Sequence, residues 1–147
     1  MRISLLLLFF SLGCAKPNYV SLSSAGAGGL DQKPAVCAAH FAGKDCVAIA
    51  WEKMPTETAV GSFVFKITRS NLADATPVVE DLSGDITVSL WMPAMGHGSS
   101  PVQVQRLDIG TYRATEVFFT MKGEWEIRIQ LKARDEVKDQ AIIPITL

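Results

Sequence analysis

From Val47 to the end of the chain, apolar and polar residues alternate. Val47, Ile49 and Trp51 are interleaved with Ala48, Ala50 and Glu52, and Phe63, Phe65 and Ile67 with Val64, Lys66 and Thr68. Ile86, Val88 and Leu90 alternate with Thr87 and Ser89, and Val102 and Val104 with Gln103 and Gln105. Trp125, Ile127, Ile129 and Leu131 alternate with Glu124, Glu126, Arg128, Gln130 and Lys132. A period of two, with one oily and one polar face, belongs to antiparallel strands half buried against a core. Ala141–Leu147 is a more apolar last run, in which Pro144 predicts an edge or a bulge because it has no amide proton to give a ladder. Turn residues separate the runs at Pro55, Gly61, Ser83–Gly84–Asp85, Asp108–Ile109–Gly110 and Lys122–Gly123. No window longer than a turn or two carries a helical period. About seven short strands with regular turns predict an all-β fold, an immunoglobulin-like antiparallel Greek-key β-sandwich over residues 35–147.

Leu107, Gly110 and Tyr112 resemble the tyrosine corner of Greek-key sandwiches, in which a Tyr at a strand start bonds back to the chain just upstream. The plainer alternative is a hairpin with Tyr112 as a cross-strand aromatic. In such a topology, strand 85–91 runs to one end of the sandwich and strand 102–107 returns. Strand 112–118 then rises again. The loop 92–101 and the turn Thr120–Met121–Lys122–Gly123 are therefore expected at the same end.

The residues before Val47 read differently. Arg2, the apolar run Ile3–Phe10 and the small residues before Cys14 resemble a bacterial lipoprotein signal peptide over residues 1–13. The run is far below the ~20 residues needed to span a bilayer. The resemblance implies cleavage before Cys14, lipidation of that cysteine and a membrane partner through the lipid. Ser11 departs from the pattern, where a branched aliphatic residue is commoner. Ala15 after the cysteine leans toward an outer membrane, facing the periplasm, in a Gram-negative cell. Residues 14–34, crowded with Ser, Gly and Ala, read as a tether that buries too little to offset its ordering entropy. Its reach is roughly 25 Å r.m.s.. With Cys14 assigned to lipid, Cys37 and Cys46 form an even pair in an exported chain, which predicts a disulfide. A metal-binding dithiol with His40 between the two is the alternative.

Composition narrows the function. At 147 residues, 48% of them apolar, the chain can bury a core. Its net charge of −1 and the lack of any Lys/Arg cluster make nucleic acid and anionic membrane surfaces poor candidates as electrostatic partners. No nucleophile elbow, zinc-protease helix motif or phosphate loop occurs. Glu80, Asp81, Asp85 and Asp108 fall in turns, where acidic residues serve the backbone. A non-enzyme is expected.

The stretch Leu90–Gly98 holds Met92, Met95 and His97, and Met121 lies in the turn expected beside it. Thioether sulfur and imidazole nitrogen are donors that copper accepts. The four residues form a candidate metal site; alternatively the methionines pack and His97 faces water. Trp91–Gly98, then Gly110–Thr111–Tyr112, then Phe118–Ile127 resemble the YtkA-like/FixH-like domain family, with its M-P-x-M-x-H loop, G-x-Y turn and M-x-G-x-W strand start. The match covers about residues 85–132. The resemblance implies an exported or membrane-tethered immunoglobulin-like domain, some of whose relatives are linked to copper handling. Two readings follow: a lipid-anchored envelope domain that binds or delivers copper, or a metal-free structural or interaction module that contacts another envelope protein.

Overall fold

The computed structural model describes residues 20–21, 36–56, 58–70 and 76–147. Apart from residues 20–21, the expected signal peptide, lipidation site Cys14 and tether lie outside the described residues. The described residues form eleven strands and no helix. Seven are long: β3 (Cys46–Lys53), β4 (Gly61–Ser70), β6 (Asp85–Met92), β8 (Gln103–Asp108), β9 (Thr111–Val117), β10 (Glu124–Ala133) and β11 (Glu136–Thr146). Four are short: β1 (Val20–Ser21), β2 (Ala39–His40), β5 (Pro77–Val79) and β7 (His97–Gly98).

One sheet runs β1-β11-β10-β6-β7. The other runs β2-β3-β4-β9-β8, with β5 also paired to β4. Stripped of the short strands, the layers are β3-β4-β9-β8 and β6-β10-β11. That is the four-plus-three order of an immunoglobulin constant-type sandwich. All pairings are antiparallel except that of β1 with Ile145–Thr146 of β11. The Pro144 expectation holds in its edge form: β11 has β10 on one side and only the two-residue β1 on the other. The bulge in that pair lies at Leu131/Lys132 instead.

The alternation in the sequence becomes the core. Phe63, Phe65 and Ile67 of β4 and Trp125, Ile127 and Ile129 of β10 are fully buried, as are Val47 and Val117, and Leu90 and Ile143 are buried beside them. Their polar neighbours lie on the outer faces, where Arg128 stacks over Trp91 at 4.9 Å and pairs with Glu126. The expected disulfide joins Cys37 to Cys46.

The sandwich has two ends. At one end, β4 leaves its partner β9 and takes up β5: the last β9 pair is Lys66↔Thr111 and the first β5 pair is Thr68↔Val79. Ile67 spans the junction, its amide donating to Gly110 O at 2.8 Å and its carbonyl accepting from Glu80 at 3.1 Å. Gly110 sits there at φ 53°, and a Cβ on it would lie 2.5 Å from the Glu80 carbonyl oxygen.

Asp81 collects the polar groups of this end. Its carboxylate accepts from Arg106 (Nη2, 2.5 Å), the Gly110 amide (2.7 Å) and the Tyr112 hydroxyl (3.0 Å). Tyr112 is therefore not a tyrosine corner. It belongs to β9, the fifth long strand rather than the sixth, and its hydroxyl crosses to a carboxylate instead of bonding back to nearby chain. Its ring also stacks on Phe65, with centroids 5.2 Å apart, as in the cross-strand alternative. The Arg106 hydrogen bond, helped by the Gly110 amide, holds the Asp81 carboxyl far below the usual carboxylate range. Burial, then the bond to Asp81, raises the Tyr112 phenol.

Two expectations follow. Gly110→Ala combines a left-handed φ with a clash against rigid backbone and should cost on the order of 1–3 kcal/mol, read as a lowered denaturant midpoint. Because its folded value is depressed, Asp81 contributes stability that is present at neutral pH. That contribution is lost progressively as pH falls below about 4, the ordinary carboxylate range. Thermal melts of Asp81→Asn should show a lower midpoint at pH 7 and a shallower acid limb than the parent.

Candidate functional site

The other end of the sandwich carries the sulfur and imidazole residues. The segment expected as a loop over 92–101 is partly a hairpin. Strand β6 runs on to Met92, and the chain returns in β7 with Met92 paired to His97 and Trp91 to Gly98. The connection is the four residues Pro93–Ala94–Met95–Gly96. The amides of Met95 and Gly96 both donate to the Met92 carbonyl, at 3.2 and 3.0 Å, and Gly96 closes the turn in the left-handed region.

This register decides where the donors go. Directly opposed residues of an antiparallel pair place their side chains on the same face, with Cβ atoms about 4.5–5.5 Å apart. Met92 and His97 are such a pair, and the shared face is the inner one. Met92 is buried in the core, and His97 is half-buried at its rim. The His97 Nδ1–H donates to Gly98 O at 3.0 Å. A carbonyl can only accept, so Nδ1 carries a proton, and in the neutral ring Nε2 is then the nitrogen with the free lone pair.

Trp125 connects this hairpin to the turn before β10. Its ring meets the His97 ring edge-on at 6.1 Å and the Phe119 ring at 5.4 Å. Its buried indole N–H donates to the Met121 carbonyl at 3.0 Å. Gly123, at φ 139°, completes the turn, and a Cβ there would lie 2.6 Å from Met92 Cε. The Ser99 hydroxyl donates to Phe118 O, a second tie between the two segments. Met92, His97, Met121 and the Met95 tip thus stand at one end of the sandwich.

The four are not equivalent. Met92 and His97 line the inner rim, whereas Met95 is 60% exposed at the hairpin tip and Met121 is 43% exposed. Met121 also lies on the wall of a pocket of about 380 Å³, with Pro55, Thr56, Phe119, Thr120 and Leu147. Among the described residues, no group of three or more His, Cys, Asp or Glu is placed to hold a metal ion. A metal at this rim would therefore rest on one imidazole and neutral thioethers, a donor set suited to a soft ion.

Several contributors carried no mark in the sequence. Trp125 reads as an ordinary core aromatic, and its role as a link depends on three contacts outside its own strand. Asp81 lies 25 and 31 residues from Arg106 and Tyr112, and nothing local to it announces either partner. Asp45 is almost fully buried and receives two bonds from Arg69, at 2.6 and 2.9 Å. A buried carboxylate in a short loop needs such a cation, but neither sequence position shows it.

No curated protein and no solved structure matches the chain. The YtkA-like family model does, over residues 47–130, reaching further toward the N-terminus than the motifs read from the sequence and taking in β3 and β4. With more than half of its length matched, from the first core strand through the Met/His hairpin to β10, the chain belongs to the YtkA-like family.

Proposed function

We propose that this protein is an exported, lipid-anchored, non-catalytic domain that binds or delivers copper at the cell envelope through the rim of its sandwich. The observation that carries the reading is the pairing of Met92 with His97 on the inner face, with Trp125 joining that pair to the turn of Met121. His97 supplies Nε2. Its Nδ1–H is spent on Gly98, an arrangement that fixes the ring of a metal-ligating imidazole. Met92 supplies a thioether from the floor, and the exposed Met95 and Met121 supply the sulfurs that meet the incoming ion.

This donor set favours Cu(I). Its sulfurs are soft and it carries no negative charge, so hard cations that need carboxylate or water oxygens find little here. Exposed Met95 and Met121 suit an ion that is passed on as well as held. The apolar segment Ile3–Phe10 ahead of Cys14 supports export and anchoring, and the slight net charge without a Lys/Arg cluster speaks against a nucleic-acid partner.

A second reading is a metal-free interaction module. It draws on Val78, Val79, Leu107 and Ile109, which are exposed large apolar residues on strands and turns at the end opposite the rim.

A competition titration of Cu(I) against a chromogenic chelator tests the first reading. One equivalent should bind at nanomolar or tighter affinity. His97→Ala and the volume-conserving Met92→Leu should each weaken it at least tenfold, and Met95→Ala should weaken it as well. His97 sits at the rim, so His97→Ala should lower folding stability by no more than about 1 kcal/mol. A larger loss would mark it as a structural histidine, and an absence of competition by the parent chain would leave the interaction module.

A further inference from the structure

The disulfide and the histidine beside it have no part in the rim. Cys46 opens β3 at the end of the sandwich opposite the Met/His hairpin, where it pairs with Thr68 of β4. His40 is its cross-strand partner in β2, so the two side chains share a face of the β2–β3 hairpin. Cys37 lies just before β2 and is bonded to Cys46. The His40 Nε2 is 3.3 Å from Cys37 Sγ. His40 is exposed, both cysteines are only half-buried, and β2 is an edge strand of its sheet. Two sulfurs and an imidazole therefore form a compact cluster that a partner thiol can reach.

The hairpin has other ties besides the disulfide. The Ala38 amide donates to Val47 O at 2.8 Å, and the Phe41 amide donates to Asp45 O at 3.0 Å. Asp45 is held by Arg69, and the Ala42 amide donates to the Asp139 carboxylate on β11 at 3.0 Å. None of these bonds runs through the S–S bond, so the hairpin has ties of its own to hold the thiols when the pair is reduced.

We propose that Cys37, Cys46 and His40 form a thiol–disulfide exchange site, in which His40 stabilises the Cys37 thiolate and the co-substrate is a dithiol reductant. A thiolate of the dithiol attacks Cys46 Sγ. The S–S bond breaks, its electron pair leaves on Cys37, and the thiolate so formed rests against protonated His40. Cys46 is now in a mixed disulfide. The second thiol of the reductant attacks the reductant's own sulfur in that bond, which closes the reductant's disulfide and releases Cys46. Two electrons and two protons pass from the dithiol to the pair, one proton to Cys46 and one to the His40–Cys37 couple. Cys37 is the leaving sulfur because a cation beside a thiolate lowers its basicity, and the less basic thiolate leaves faster.

The test is the rate at which dithiothreitol reduces the pair in the full chain at pH 7, read by alkylation and mass spectrometry of the Cys37 and Cys46 peptides. His40→Ala should slow reduction roughly tenfold while the oxidised protein melts as the parent does. His40→Arg, which restores a cation, should recover most of the rate, whereas His40→Gln should not. With the monothiol glutathione in place of dithiothreitol, and exchange stopped by acid, the mixed disulfide should be found on Cys46. Equal rates in the parent and His40→Ala would overturn the proposal. So would equal slowing in the Ala, Gln and Arg variants, since that would make His40 a packing residue.

Discussion

The indole N–H of Trp125 is the constraint from which one end of this molecule is built. The ring is wholly buried at the start of β10, where an unpaired donor would cost on the order of 1–3 kcal/mol. It finds its acceptor four residues upstream, on the Met121 carbonyl. To offer that carbonyl, the chain must turn tightly between Phe119 and β10, and Gly123 makes the turn in a conformation that side chains avoid. The missing side chain at Gly123 leaves the space that Met92 Cε fills. Met92 in turn stands opposite His97, whose ring leans on the same indole. One buried donor thereby ties a turn, a methionine and a histidine drawn from two stretches of sequence.

The opposite end is held by charge. Asp81 accepts from Arg106, Gly110 and Tyr112, and Arg69 reaches both Asp45 and Glu80. These groups close the sandwich where β9 gives way to β5, a place where the ladder alone would leave polar backbone without order. The difference between the ends has a chemical consequence. An end lined by carboxylates and guanidiniums answers to pH and salt. An end lined by thioethers and indole has few charges to titrate and presents sulfur instead.

The long strands were legible in the sequence because a half-buried strand must alternate. Phe63–Phe65–Ile67 and Trp125–Ile127–Ile129 face the core as their period requires. Counting such runs gives the long strands, whereas the order in which they pair is visible only in the assembled sheets. The short strands were not legible. β2, β5 and β7 are two or three residues long, too short to show a period, and they exist because a longer neighbour offers an edge. This is why a loop was expected over 92–101, although β7 turns its first part into a hairpin. Tyr112 shows the other limit. Its motif is local, but its hydrogen bond goes to a residue 31 positions away, and only the assembled sandwich brings Asp81 under it. The disulfide was legible from the parity of the cysteines, whereas the imidazole contact depended on the hairpin register.

The hairpin register also bears on what the rim can bind. In an open loop, Met92 and His97 would be two independently moving donors, and each would lose side-chain entropy on meeting a metal. As opposed residues of a ladder they are ordered by folding itself. His97 is further fixed by Gly98 O and Trp125, and Met92 by Gly123. Thioether and neutral imidazole donors carry no charge, so holding them in a largely apolar rim avoids the penalty of desolvating a carboxylate or thiolate. Met95 and Met121 remain exposed and adaptable. A rim with two preset donors and two free ones would bind through the ordered pair and exchange through the exposed pair. For a carrier of a soft ion, that division matters more than raw affinity, because an ion enclosed by four preset ligands has no route to the next protein.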